Sequence, residues 1–314
     1  MAYTQFTSSP HTSPSMGPAL LLLLGDFLAP AGGTLSLGRE PGAGEVVADA
    51  ANRPYVAEVL RIGLRLADDV PDVRDAGGAG LALSGVAAGL NISFSALALG
   101  VVGAMAGGVG LVAMLFYPIG FLIVVLGRAQ LFTENTVTGV TVALTEASKL
   151  LNMLRFWAVV FASNVIGAAV FAAAVTYGNL LDPAAFDLLL EGAAHNLEPG
   201  FLALTLKVVF GGWLVALVAW LVAACQATIS QAFSIYVLSF LIPAARLAQC
   251  VAGSAEVLMS VFAGETAFLA YLFGFLAPAT LGNTIGGVVL VTLLNFGQVV
   301  GSDQEHLPNA DADL

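Results

Sequence analysis

Two long apolar stretches of this chain are each interrupted near their middle by an arginine, a polar amide and small or helix-breaking residues. The first interruption lies within residues 126–136 and the second within residues 243–249. Lipid offers no water to unpaired backbone N–H and C=O groups, so a helix can break at membrane depth only where it lines an aqueous path or is buried in protein. The two interruptions therefore predict the walls of a path for a solute.

The composition is that of a membrane protein. Hydrophobic residues make up 58% of the 314 residues and charged residues only 10%, whereas soluble domains carry about 25% charged residues. A membrane-spanning helix needs about 20 predominantly apolar residues, and by this measure the chain is an all-α polytopic membrane protein with six transmembrane helices. The predicted spans are 78–102, 109–145 (broken), 155–178, 201–224, 229–263 (broken) and 268–299.

The six predicted spans divide into two sets of three, and the middle span of each set is the broken one. The two sets insert in opposite directions, which predicts an inverted-topology repeat with a site near the midplane where the breaks meet. Basic residues concentrate before the first span and between the second and third, whereas the predicted 181–200 loop is acidic. The positive-inside rule therefore predicts a multi-pass protein of the plasma membrane with both termini in the cytoplasm.

Four regions follow along the chain. Residues 1–52 are rich in Ser, Pro and Gly and are predicted to be disordered. Residues 53–76 are predicted to form an amphipathic cytoplasmic helix at the membrane surface. Residues 77–300 hold the six-helix transporter domain, and residues 301–314 form an acidic cytoplasmic tail.

Several function classes are disfavoured. The formal net charge of −11, with 21 acidic against 10 basic residues, does not suit a nucleic acid partner. The two cysteines lack metal or redox spacing, and no metal or cofactor is predicted. No HExxH motif or phosphate-binding loop occurs, so an enzyme or an ATP-driven pump is not expected. All three histidines lie outside the spans, so the midplane has no imidazole to exchange protons.

Charged residues at membrane depth are costly, by about 2.5–3.5 kcal/mol each on insertion scales. Five lie at or near that depth: Arg128, Glu134, Lys207, Arg246 and Glu256. At each break an arginine is followed along the chain by a glutamate, Glu134 after Arg128 and Glu256 after Arg246. Two interpretations stay open, namely ion pairs that pin the breaks together and a positive potential that draws anions. Lys207, near the outer end of the fourth span, either attracts anions or anchors the helix by snorkelling.

The first break also places Thr133 directly after the apolar pair Leu131 and Phe132. Bulky apolar residues at a break can close a pore by excluding water, and a hydroxyl beside them can donate to a passing oxygen. Thr133 can equally cap the half-helix that follows it. The N-terminus of that half-helix adds a positive dipole end directed at the centre of the path.

The first break, with its run Gln-Leu-Phe-Thr-Glu-Asn-Thr at residues 130–136, resembles the central Ω-loop of the formate/nitrite transporter family, in the branch with Gln before Leu-Phe-Thr. Residues 84–95, 164–168, 212–220 and 282–287 resemble its first, third, fourth and sixth spans. The resemblance covers about residues 55–300. It implies an aquaporin-like protomer in a homopentamer, each protomer with its own pore for small monovalent anions such as formate or nitrite.

The resemblance also implies roles for individual residues. Thr133 corresponds to the loop threonine that faces the central residue, and Gln130 and Asn135 belong to the same loop. The implied constriction residues are Phe121, Leu131 and Phe132 on the cytoplasmic side and Tyr117 and Ile242 on the outer side.

The central position departs from the family pattern. Family members usually place a histidine in the fifth span, four residues before a small or amide residue, and counting back from Gly253 reaches Gln249. Glutamine forms hydrogen bonds but does not take up a proton near neutral pH. The sequence therefore predicts an anion path with weak pH dependence, and Arg246, about one turn away, as a fixed charge. The alternative is a non-conducting membrane scaffold or sensor that retains the fold.

Overall fold

The computed structural model describes Ile62 and residues 78–137 and 150–293, and the regular structure within these residues is helical, without a strand. In order, the helices are α1 (Gly78–Ile92), α2 (Phe94–Ala106), α3 (Leu111–Met114), α4 (Pro118–Leu126), α5 (Leu150–Tyr177), α6 (Pro183–Leu197), α7 (Phe201–Ala224), α8 (Thr228–Ala244), α9 (Cys250–Phe262) and α10 (Ala277–Ile285). π-Helical segments, Ala270–Leu276 and Gly286–Leu293, lie on either side of α10. Residues 132–137 are also helical.

Four helical stretches of the described chain are long and apolar enough to cross a bilayer. They are Gly78–Ala106, Leu151–Tyr177, Phe201–Ala224 and Ala270–Val289. Shorter apolar helical stretches occupy Leu111–Leu126, Thr228–Ala244 and Cys250–Phe262. These three short stretches lie within the two spans that the sequence predicts to be broken, so the interruptions of the apolar pattern coincide with interruptions of the helix.

Some predicted boundaries differ from the observed helices. The first predicted span continues to Ala106 rather than ending at residue 102. The helix of the third predicted span, α5, begins at Leu150 rather than at residue 155. Arg155, at the predicted boundary, is helical and its side chain is exposed, so its charge does not end the helix. The last stretch contains two π-helical segments, which the apolar pattern does not reveal.

The 181–200 connection was predicted to be a loop, and this is wrong because it contains α6. Asp182 occupies the N-cap position, and Pro183 follows at the first helical position, where its missing N–H leaves no intrahelical bond unmade. Leu189 and Ala193, four residues apart, are buried on one face. The helix is amphipathic and carries acidic residues, so a search for long apolar spans passes over it.

Several predicted regions lie outside the described residues. They are the disordered segment 1–52, the tail 301–314 and, apart from Ile62, the amphipathic helix 53–76. Ile62 is helical and buried. The buried residues packed with it are Val137, Ala216, Ala219 and Trp220.

Two helix pairs pack at close range through glycine. In the first pair, α1 and α5, Gly89 faces the backbone of Asn164 and Gly167 faces the backbone of α1. A Cβ on either glycine would collide with backbone atoms of the partner helix. Small residues let helices approach this closely in lipid, where burial of apolar side chains does not drive association.

The second pair, α7 and α10, has the same arrangement. Gly212 faces the backbone and side chain of Asn283, and Gly286 faces the backbone of α7. Each pair thus brings an asparagine of one helix against a glycine of the other, with a glycine three residues after the asparagine. This close packing holds each asparagine next to a helix break.

Candidate functional site between two helix breaks

The first break begins with a tight turn at the end of α4. The N–H of Arg128 donates to the carbonyl of Val125 (3.2 Å) and the N–H of Ala129 to that of Val124 (3.1 Å). Arg128 has a φ of 56°, a left-handed conformation that commonly closes helices but favours glycine. The chain is then non-helical up to residue 131.

The second break begins with the same turn at the end of α8. The N–H of Arg246 donates to the carbonyl of Pro243 (3.1 Å) and the N–H of Leu247 to that of Ile242 (2.8 Å). Arg246 has a φ of 53°, and the helix resumes at Cys250. A left-handed conformation costs a residue with a side chain about 1–2 kcal/mol relative to the right-handed one, and both breaks place an arginine there.

Asn164 on α5 holds the first break. Its Nδ2 donates to the carbonyls of Gly85 (2.8 Å) and Gln130 (2.9 Å), and its Oδ1 accepts the N–H of Phe132 (2.8 Å). The side chain is fully buried. Gln130 and Phe132 lie at the break, where their backbone groups have left the helical ladder, and Asn164 supplies a hydrogen-bond partner to each.

Asn283 on α10 holds the second break in the same way. Its Oδ1 accepts the N–H of Cys250 (2.8 Å), and its Nδ2 donates to the carbonyl of Val208 (3.2 Å). Sequence reasoning did not assign these roles to Asn283 or Asn164. The signal was present as a polar asparagine within an apolar helix, followed three residues later by glycine.

The two breaks meet through a buried hydrogen bond. Gln249 Nε2 donates to Thr133 Oγ1 at 2.7 Å, and both side chains are 1% exposed. Gln249 Oε1 accepts the N–H of Ala252 and so caps the N-terminus of α9. The hydroxyl oxygen of Thr133 accepts the bond from Gln249, and the backbone carbonyl of Thr133 accepts a bond from Thr136 Oγ1 (2.8 Å). The structure thus brings together two residues that lie 116 positions apart in the chain.

Three of the residues predicted to narrow the path are aromatic or aliphatic and buried. Tyr117 is the N-cap residue of α4 and Phe121 lies about one turn later, with ring centroids 5.8 Å apart, and both are buried. Ile242 on α8 is also buried. These are the residues that the sequence predicts to narrow the path, and their side chains lie inside the protomer.

The apolar pair of the first break is anchored on α5. Leu131 and Phe132 are buried, and the ring of Phe132 makes edge contacts with Trp157 (6.1 Å) and Phe161 (4.9 Å). Trp157 Nε1 donates to the carbonyl of Asn135 (3.0 Å). The aromatic residues of α5 therefore fix the start of the half-helix that follows the break.

Hydrogen bonds join polar residues of the first break to each other and to α1. Asn135 Nδ2 donates to Gln130 Oε1 at 2.8 Å. The N–H of Gln130 donates to Ser84 Oγ on α1 at 3.1 Å. Two of the predicted loop residues are thus joined to each other and to the first helix.

The five charged residues predicted near membrane depth differ in exposure. Glu256 on α9 is buried and accepts Asn196 Nδ2 at 2.9 Å. Arg246 is exposed, and within the described residues neither it nor Glu256 belongs to an ion pair. In the same part of the chain, no three His, Cys, Asp or Glu side chains are placed to hold a metal ion. The other three charges are Arg128 (exposed), Glu134 (partly buried) and Lys207 (partly buried).

Comparison with known proteins identifies the family. Residues 76–297 match the family model described as formate/nitrite transporter. The chain belongs to the formate/nitrite transporter family. Inner membrane protein YfdC of Escherichia coli (strain K12) is 30% identical over 234 residues, which cover 73% of this chain and 74% of that protein. The predicted family resemblance is therefore confirmed.

Two solved structures share the fold. One is described as a pentameric formate channel with formate bound; it has a TM-score of 0.62 and 19% identity, and the match covers 70% of this chain and 97% of that chain. The other is described as an FNT family ion channel, with a TM-score of 0.63, 19% identity and coverage of 79% and 98%. Membership in the formate/nitrite transporter family and the apolar helices make this chain a multi-pass membrane transport protein.

Proposed function

We propose that this protein conducts a small monovalent anion, of the class of formate or nitrite, through a path inside each protomer. The hydrogen bond between Gln249 and Thr133 carries the proposal, because it joins the two helix breaks at one buried point. Broken helices at membrane depth are tolerated where they line a water-filled path or are buried in protein. The family of the chain and the formate channel that shares its fold support an anion as the solute.

The path is proposed to run through six spans arranged as an inverted repeat. Matched turns at Arg128 and Arg246, and matched amide contacts of Asn164 and Asn283, support two halves related by a two-fold axis in the membrane plane. In this arrangement α4 and residues 132–137 form the second span, and α8 and α9 form the fifth. The termini then lie on the cytoplasmic side of the plasma membrane.

The hydrogen-bond donors of the Gln249–Thr133 pair favour an anion as the solute. Thr133 Oγ1 accepts from Gln249, and within the described contacts its own hydroxyl hydrogen is not donated. Gln249 Nε2 carries two hydrogens and gives one to Thr133, while its Oε1 is taken by Ala252. The pair therefore offers an O–H and an N–H donor to a passing anion, and each of its two oxygen atoms already accepts one hydrogen bond.

Positive charge around the breaks supports the same solute. The half-helix N-termini at residue 132 and Cys250 carry partial positive charge. Arg246 is exposed without an ion pair in the described residues, and an arginine at membrane depth faces protein or water rather than lipid. Of the two interpretations of the arginines, this favours a potential that draws anions. Lys207 is proposed to add to it at the outer vestibule.

The solute is proposed to pass two narrow points on either side of the central pair. Buried apolar side chains make a narrow point a barrier to water and ions until it widens. The proposed constriction residues are Tyr117 and Ile242 on the outer side and Phe121, Leu131 and Phe132 on the cytoplasmic side.

The central residue is proposed to make no contribution to pH dependence. Gln249 carries an amide, which exchanges no proton with the solute near neutral pH. A histidine at this position would add a charge that varies with pH. The pentameric assembly of the formate channel that shares the fold supports a homopentamer in the lipid bilayer as the working form.

Flux into liposomes tests the proposal. The purified full chain is reconstituted, and uptake of formate and of nitrite is compared with that of empty vesicles made from the same lipid. Uptake above the empty-vesicle rate is expected for at least one of the two anions. Absence of flux for any small monovalent anion between pH 5 and pH 8 would instead support the non-conducting scaffold or sensor.

A further inference from the structure

A carboxyl group lies buried on the half-helix that follows the second break. Glu256 is only 9% exposed, and the α9 residues around it are buried as well. It lies seven residues after Gln249, which is about two helical turns. An acid so close to the centre of a proposed anion path is unexpected, because an ionised carboxylate repels anions.

The carboxyl is held by α6 rather than by a cation. Asn196 Nδ2 donates to Glu256 Oε2 at 2.9 Å, the only side-chain hydrogen bond to this carboxyl among the described contacts. Gly192, one turn earlier on α6, leaves room for it, because a Cβ there would lie 3.3 Å from Oε2. Tyr117, the proposed outer constriction residue, lies within electrostatic range of the carboxyl.

The surroundings of Glu256 contain few other groups that change charge. Helices α1, α2 and α10, which also contact α9, carry no titratable side chain. Tyr271 donates its hydroxyl to Ser254 (3.0 Å). Across the elements packed on α9, the titratable or charged groups are Asp187, Glu191 and His195 on α6, Arg155 and Tyr177 on α5, and Tyr271 before α10.

We propose that Glu256 is a proton-operated gate on the outer half of the anion path. Binding of one proton to Oε1 forms an O–H bond and removes one negative charge, while Oε2 keeps its hydrogen bond to Asn196. The neutral acid admits the anion past Tyr117, and the carboxylate excludes it. The inference rests on the proposed function and adds a pH dependence that does not arise at Gln249.

The test measures formate flux through the full-length protein in liposomes between pH 5 and pH 8, with equal pH on both sides and the empty-vesicle leak subtracted. Because one proton opens the gate, wild-type flux is expected to fall about tenfold per pH unit above the titration point of the gate. Glu256→Gln has nearly the same shape and is permanently neutral. Its flux is expected to stay at the acidic wild-type level throughout this range.

Three further variants test whether a group other than the Glu256 carboxyl causes the pH dependence of flux. Glu198→Gln removes an exposed carboxyl just after the C-terminus of α6, and His195→Asn removes the imidazole next to Asn196; both are expected to keep the wild-type profile. Glu256→Asp keeps a titrating carboxyl and is expected to retain a sloping profile. It provides the readout if Glu256→Gln elutes as an aggregate.

The outcomes distinguish the gate from the proposed function. A wild-type flux that is independent of pH, or a Glu256→Gln profile that follows the wild type, would refute the gate while anion conduction stands. A profile flattened by His195→Asn would assign the gate to the imidazole instead. If the wild type conducts no anion, the proposed function itself fails.

Discussion

Replacing Asn164 by leucine should destabilise the protein more than the equivalent change at Asn283. Leucine has the same number and branching of side-chain heavy atoms as asparagine but forms no hydrogen bonds. In Asn164→Leu, the N–H of Phe132 and the carbonyl of Gln130 lose their partner in a buried site. The carbonyl of Gly85 lies within α1 and can still accept from the helical ladder. Two backbone groups, one buried and one partly buried, are thus left unpaired.

The magnitude follows from this count. An unsatisfied buried polar group costs about 1–3 kcal/mol, so Asn164→Leu should cost roughly 2–6 kcal/mol. Asn283→Leu leaves one such group, the N–H of Cys250, because the carbonyl of Val208 lies within α7. Its cost should be about half as large. Both substitutions should also loosen the contact between Gln249 and Thr133, since each asparagine bonds the chain next to one of these two residues.

The assay is thermal unfolding in detergent, followed by the fraction of protein that elutes as a folded oligomer after heating. Asn91→Leu is the matched control, because Asn91 lies partly buried on α1 and its side chain forms no hydrogen bond within the described residues. The expected order of thermal stability is the control, then Asn283→Leu, then Asn164→Leu. If Asn164→Leu unfolds at the temperature of the control, the asparagines do not hold the breaks and the reasoning is wrong.

Three further changes test other parts of the structure. Gln249→His should give anion flux a component that depends on pH, because imidazole titrates at about pH 6.5 in water; an unchanged profile in an active protein would mean that position 249 does not line the path. Arg246→Gln should lower the preference for anions over cations in reversal-potential measurements, whereas unaltered selectivity would make Arg246 a structural residue. Gly253→Ala should lower the thermal midpoint through overpacking of about 1–3 kcal/mol, because a Cβ there would meet the ring of Phe275, and Gly80→Ala, where a Cβ meets nothing within 4 Å, should not.

The class of the protein and the position of its breaks could be predicted from sequence because both depend on local composition. Long apolar stretches identify membrane helices whatever their partners. Polar and helix-breaking residues within such a stretch mark the break directly, and the structure places both breaks where the sequence does. The boundaries near Arg155 were less accurate, because an exposed charge at a helix end does not terminate the helix.

Most of the hydrogen bonds that hold the two breaks together could not be predicted from the sequence. The resemblance to a family indicated that Thr133 faces a central residue, but it did not indicate that Asn164 and Asn283 each hold a break. Nor did hydropathy reveal α6, whose Asn196 is the partner of Glu256. These contacts join residues that lie 32 to 116 positions apart, so no local pattern encodes them.

The sequence by itself determined that this chain lies in a membrane, that it belongs with the formate/nitrite transporters and that two of its helices are broken. Each of these properties resides in a short run of residues and in the energetic cost of polar groups in lipid. Only the tertiary structure decided that the breaks meet through Gln249 and Thr133 and that Glu256 is held by an amide rather than by an arginine. The partners of a buried polar group are set by which helices pack together, and that packing depends on the whole fold.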